Sequence, residues 1–177
     1  MNVTATLANQ GGENFSWKRL KFSEHPLKAL GILFLLVNRY FLAIFYIYGT
    51  WHKIVKEWMW TDVLKVHFQQ RLAEIGPGSF PALYLEYFAI PLWYPIAAIV
   101  TLGELYVAVG LTLGWTTRMS AAFSLFLLIN FGLGAFYNIW IPILSVCSIL
   151  VMITPTGKWF GFDRRLMKKY PESIWYC

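Results

Sequence analysis

Between Leu92 and Gly157 the chain carries only two charged side chains, Glu104 and Arg118, among long apolar runs. An ordinary soluble domain has about one charged residue in four; here the whole chain has 14 % charged and 58 % hydrophobic residues, with a mean hydropathy of +0.51. This excludes a disordered chain, a coiled coil and a disulfide scaffold, and it points to a polytopic membrane protein. At about 20 residues per crossing, the 177 residues give room for four or five spans, short loops and one medium loop. They leave none for a separate soluble catalytic domain.

The hydropathy pattern predicts an all-α, four-transmembrane-helix bundle with an amphipathic or interfacial segment between the first and second spans. Residues 1–28 form a polar, basic arm, 29–157 the transmembrane domain and 158–177 a basic tail. The spans are expected at about 29–51, 92–115, 119–137 and 139–153. In the long loop after the first span, Leu64, Phe68, Leu72 and Ile75 recur at helical spacing and predict a short amphipathic helix, ended by Gly76-Pro77-Gly78. Phe80–Ile90, with Pro81 and Pro91 at its ends, is too short to span and reads as interfacial or re-entrant. Residues 1–29 lack the apolar core of a cleavable leader, so the first span is expected to target the chain to the membrane.

The net charge of +6 follows from cytoplasmic flanks that collect Lys and Arg, not from a nucleic-acid partner. With the N-terminus inside, ten cations flank the inner side (18, 19, 21, 28, 118, 158, 164, 165, 168 and 169) and four the outer (53, 56, 65 and 71). Both termini are therefore predicted to be cytoplasmic, in a cytoplasmic membrane of prokaryotic type. Trp51, Trp93 and Trp140 fall at outer span ends, Trp115 and Trp159 at inner ones, as interfacial aromatic belts require. Cys147 and Cys177 form no CxxC or His/Cys cluster, so no metal site is expected.

Ionisable residues inside a bilayer are costly, by about 2.5–3.5 kcal/mol on insertion scales. Arg39 and Glu104 lie near the middles of the first and second spans, at matched depth. They read either as a buried ion pair that docks two helices or as a site for a quinone headgroup, a proton or a small polar substrate. Asn38 and Asn130 are intramembrane amides that call for interhelical hydrogen bonds. Arg118 closes the inner turn after the second span, where positive-inside anchoring also places a cation. His52, at the outer end of the first span, is the candidate to contact a quinol proton or a porphyrin metal. Gly110 and Gly114 form a GxxxG pair for close helix approach.

The chain resembles the DoxX/DoxD-like family of small four-helix membrane proteins. The resemblance is carried by Arg39, Gly49 and Lys53 around the first span; by Gly103-Glu104-Leu105, Gly110-Leu111-Thr112-Leu113-Gly114 and Arg118 on the second; and by Gly161-Phe162-Asp163 after the fourth. It covers about residues 35–168. The long aromatic loop is similar to the DoxD side, the small subunit of thiosulfate:quinone oxidoreductase. The resemblance implies a four-helix bundle linked to quinone chemistry, with Arg39, Glu104 and Arg118 as its polar positions.

Two functional readings follow. In one, the chain is an accessory subunit of an energy-transducing, quinone-linked electron-transfer complex, respiratory or photosynthetic. It would meet lipid and other membrane subunits, and pigment or haem only through those partners. In the other, it is the catalytic or quinone-binding membrane subunit of a thiosulfate:quinone oxidoreductase, with quinone as its ligand.

Overall fold

The computed structural model describes residues 26–170, 173 and 175; the arm, up to residue 25, and the end of the tail lie outside the described residues. Among these the chain is helical, with no strand. Two compact units divide it, residues 1–34 and 35–177. In the first, the described residues are the opening turns of helix α1 (Pro26–Val55). Helix α1 starts three residues before the expected span, with Pro26 in the first turn, where its missing N–H costs nothing.

The rest of α1 and all following elements belong to the second unit. Helix α2 (Val63–Ile75) is the expected amphipathic segment; it buries Leu64 and Phe68 and stops at Gly76, whose φ of +76° suits glycine. Helix α3 (Phe80–Tyr84) begins on Ser79, whose hydroxyl accepts from the Ala82 N–H at 3.3 Å. A single π-turn (Leu85–Ala89) continues it and buries Leu85 and Ala89. Then come α4 (Trp93–Leu113), α5 (Thr117–Leu133), α6 (Trp140–Ile153), and two short helices, α7 (Thr156–Trp159) and α8 (Asp163–Lys169). Helix α5 packs against both α4 and α6. It ends at Leu133, not Tyr137 as expected, because Ala135 turns to a positive φ of 59°. The Arg71 guanidinium of α2 holds the Ala135 carbonyl, Nε at 2.9 Å.

Helices α1 and α4 are long and apolar enough to cross a membrane; α5 and α6 are shorter apolar helices. Their side chains sort in an unusual way. The charged Arg39 and Glu104 are 0 % and 4 % exposed, whereas Ile44, Ile99, Leu102, Ile129 and Val146 are all more than half exposed. One apolar cluster joins Leu42, Val107, Leu111, Leu127, Leu144 and Val151. A second joins α2, the π-turn and the start of α4 through Leu64, Phe68, Leu85 and Ala97.

The C-terminal end of α4 is tied off by the segment before α8. The N–H groups of Phe162 and Asp163 donate to the Leu113 and Gly114 carbonyls at 3.2 and 2.8 Å, satisfying acceptors a helix end leaves open. The Asp163 carboxylate accepts from the Thr116 and Thr117 N–H groups at 2.6 and 2.9 Å, and so caps α5 where its dipole is positive. That bond holds Thr116 at a φ of +52°, which a β-branched residue rarely adopts. Gly114, at φ +61°, and Gly161 bring two backbones together: a Cβ on Gly161 would lie 2.6 Å from the Gly114 Cα. Gly161→Ala is therefore expected to cost about 1–3 kcal/mol by overpacking. Gly31→Ala, whose new Cβ meets nothing within 4 Å, is expected to be neutral or stabilising. Thermal unfolding in mild detergent measures both; equal stabilities would contradict this account of the knot.

Candidate functional site

Tyr46, Gly49 and Lys53 share one face of α1, at helical spacings of three and four. Glu104 lies on the buried stripe of α4 with Ala97, Val100, Val107 and Leu111. Gly49 makes room for the acid: a Cβ there would sit 3.0 Å from Glu104 Oε2. Lys53 Nζ then donates to both carboxylate oxygens, at 2.8 and 2.7 Å. The Trp58 ring lies 4.8 Å from the same nitrogen, adding a cation–π contact.

This ion pair lies at the buried end of a cavity of about 630 Å³, within the size range of small-molecule sites. Phe45, Trp58, Phe131 and Phe136 give its aromatic walls, and Leu127 and Leu144 its aliphatic ones. The lining also includes His52, His67, Asn138 and Trp140, all exposed, so the cavity reaches the surface there. A second polar point on the wall is Tyr84, whose hydroxyl donates to Asn130 Oδ1 at 3.1 Å; the Asn130 amide donates in turn to the Phe126 carbonyl at 2.8 Å. Burial pushes the Tyr84 phenol above its ordinary value, which keeps it a neutral O–H donor.

The site thus sets the Lys53 ammonium, the Glu104 carboxylate and the Tyr84 phenolic oxygen in an aromatic, largely apolar enclosure. It can hold a flat apolar ring bearing oxygen atoms. Lys53 and Glu104 together can also donate or accept one proton at the buried end. Among the described residues, no group of three or more His, Cys, Asp or Glu could hold a metal ion.

The polar residues singled out in the sequence divide into two sets. Glu104, Asn130 and His52 line the cavity; His52 stands at its rim, stacked on Tyr48. Arg39, Asn38 and Arg118 do not line it. Arg39 does not meet Glu104. Its guanidinium donates to the Thr156 carbonyl at 2.7 Å and to the Tyr40 hydroxyl at 2.7 Å, beside Gly114 at the far end of α4. Asn38 donates to the Cys147 carbonyl at 3.1 Å, joining α1 to α6, and Arg118 is partly buried in the first turn of α5. Gly110 of the GxxxG pair faces Ser120.

Tyr46, Lys53, His67 and Tyr84 also line the cavity; of these, Lys53 is expected only as an outer flanking cation that carries the family resemblance and His67 only as a weak metal or porphyrin candidate, and nothing in the local sequence marks Tyr46 or Tyr84. For Lys53 a signal existed: it follows Gly49 by four residues, so the two share a helical face. Helix α1 continues past Trp51 to Val55, so Lys53 belongs to the helix and not to the outer loop.

Comparison with protein-family models, with curated proteins and with solved structures gives no match.

A buried ion pair broken on one side loses about 3–5 kcal/mol, whereas replacing both partners by apolar groups is often near neutral. Lys53→Met and Glu104→Leu are each expected to lower unfolding stability by that amount. The double variant is expected to lose less than either single one. Additive losses in a double-mutant cycle would show that the two groups do not form one interaction.

Proposed function

We propose that this chain is an integral membrane subunit of a quinone-linked electron-transfer assembly, a DoxX/DoxD-like four-span bundle whose own contribution is to hold a quinone headgroup. The observation that carries the ligand is the aromatic cavity with Lys53 and Glu104 at its buried end. The membrane setting rests on the sorting of side chains: charges inside the bundle, large aliphatic residues outside. A water-soluble protein seldom exposes such a surface. On this reading α1, α4, α5 and α6 are the four spans, and the segment Val63–Ala89 lies over the cavity at one membrane face. Exposed Trp60, Phe80, Tyr87 and Tyr137 near that face suit the headgroup level.

The residues present fit such a ligand. A quinone, when bound, supplies two-electron, two-proton redox chemistry. Lys53 offers N–H donors to a ring oxygen, and its charge favours electron density there. Glu104 can keep a proton on one carboxylate oxygen or release it. Phe45, Trp58 and Phe131 cover an aromatic ring and exclude water. Tyr84, held by Asn130, presents a phenolic oxygen at another point of the wall. The accessory reading keeps the same membrane placement and leaves the cavity to packing or lipid.

Gentle extraction, native mass determination and quinone analysis of the same band test the proposal. Expected is a quinone-bearing species larger than 20.5 kDa, with the quinone content reduced about tenfold in Glu104→Gln. A large assembly with no quinone would favour the accessory reading. A small species with no quinone would overturn both.

A further inference from the structure

Beyond the cavity, the bundle interior holds a seam of polar groups that the site does not use. On α5, Thr117, Ser120 and Ser124 are buried on one stripe, at spacings of three and four that stack them along one helix face. Ser124 Oγ donates to the Tyr46 hydroxyl at 2.8 Å and lies 2.7 Å from Ser148 Oγ. Tyr46 lines the cavity, one helical turn from Gly49, which abuts the Glu104 carboxylate. At the other end, Thr117 Oγ1 and the Asp163 carboxylate both border Gly157, where a Cβ would collide with each. Past Asp163, Arg164 and Arg165 are exposed.

Four side-chain atoms toward that end have no hydrogen-bond partner: Arg39 Nε, Thr117 Oγ1, Ser120 Oγ and Thr156 Oγ1. Their residues are 0–2 % exposed. Buried polar groups without partners are rare in folded proteins, and several at one end of a bundle call for ordered water. A row of hydroxyls with water between them can pass protons, because each oxygen both donates and accepts.

We propose that this seam is a proton path between the Asp163 end of the bundle and Glu104, through Thr117, Ser120, Ser124 and Tyr46 with intervening water. Each oxygen takes a proton from its neighbour and releases its own to the next, the Tyr46 O–H first turning away from the Ser124 carbonyl, to which it donates at 3.3 Å. The net result is transfer of one proton, with no electron moved. The path supplies the buried end of the cavity from the face opposite its mouth. The inference rests on the membrane-spanning reading and not on which ligand the cavity holds.

The test is proton flux into liposomes of phosphatidylcholine and phosphatidylglycerol that carry the full chain and an internal pH dye, driven by a valinomycin-set potassium potential. Flotation with the liposomes reports insertion. Expected is a rate several-fold above protein-free liposomes, falling to the protein-free rate in Ser124→Ala and retained to at least half in Ser124→Thr, which keeps the hydroxyl. Tyr46→Phe is the second variant and is also expected to abolish the excess. A wild-type chain that floats but adds no flux would overturn the path and leave the spans standing; failure to float would overturn the spans, and the path with them. Variants that float and conduct like the wild type would overturn the path as well.

Discussion

The interaction on which the site depends is the ion pair between Lys53 and Glu104. Two charges removed from water are costly unless each finds a close partner. Here the ammonium reaches both carboxylate oxygens and is covered by Trp58. The geometry exists because Gly49 has no side chain where the carboxylate sits. It also fixes α1 against α4 and leaves the aromatic side chains around it to form walls. A buried pair of this kind is often no more stabilising than apolar groups of similar volume. Its place at the end of a cavity is what the proposed ligand site rests on.

The opposite end of the bundle obeys a different constraint, the closure of helix ends. Gly114, Thr116, Thr117, Gly161 and Asp163 meet in one backbone knot, and Arg39 ties α1 to the Thr156 carbonyl. Several residues that carry the family resemblance therefore have a local structural reason. The resemblance motifs split between two physical tasks: Gly49, Lys53 and Glu104 build the polar end of the cavity, while Arg39 and the glycine–aspartate elements hold the turns. The buried hydroxyls of Thr117, Ser120 and Ser124 lie on the α5 face between these two ends, along the proton path proposed above.

Much of the fold was legible in the sequence. The apolar runs became α1, α4, α5 and α6, and the spacing of Leu64, Phe68 and Leu72 gave α2. Arg39 and Glu104 do not share a depth: Arg39 reaches the Thr156 carbonyl and Glu104 takes Lys53. Helix α1 is offset along α4: its middle, with Arg39, lies beside Gly114 at the C-terminal end of α4, and Lys53 near its own C-terminal end reaches Glu104. Arg39 and Lys53 are about 21 Å apart along the α1 axis at 1.5 Å per residue, so the residue at the level of Glu104 is the one expected two positions beyond the end of the span. The loop residues Tyr84 and His67 reach the cavity through the folding of α2 and α3 over it, and no local pattern encodes that. The early end of α5 depends on Arg71, sixty-four positions away in the chain.

The proposed occupant of the cavity lined by α1, α4 and α5 is a quinone headgroup. Photolabelling of the membrane-reconstituted chain with a short-chain azidoquinone, followed by peptide mapping, tests it most directly. The account expects label on Phe45–Lys53 or Leu127–Phe136, lost in the presence of excess unlabelled quinone. Label confined to outward-facing residues such as Ile99 and Val146, and indifferent to competitor, would contradict it.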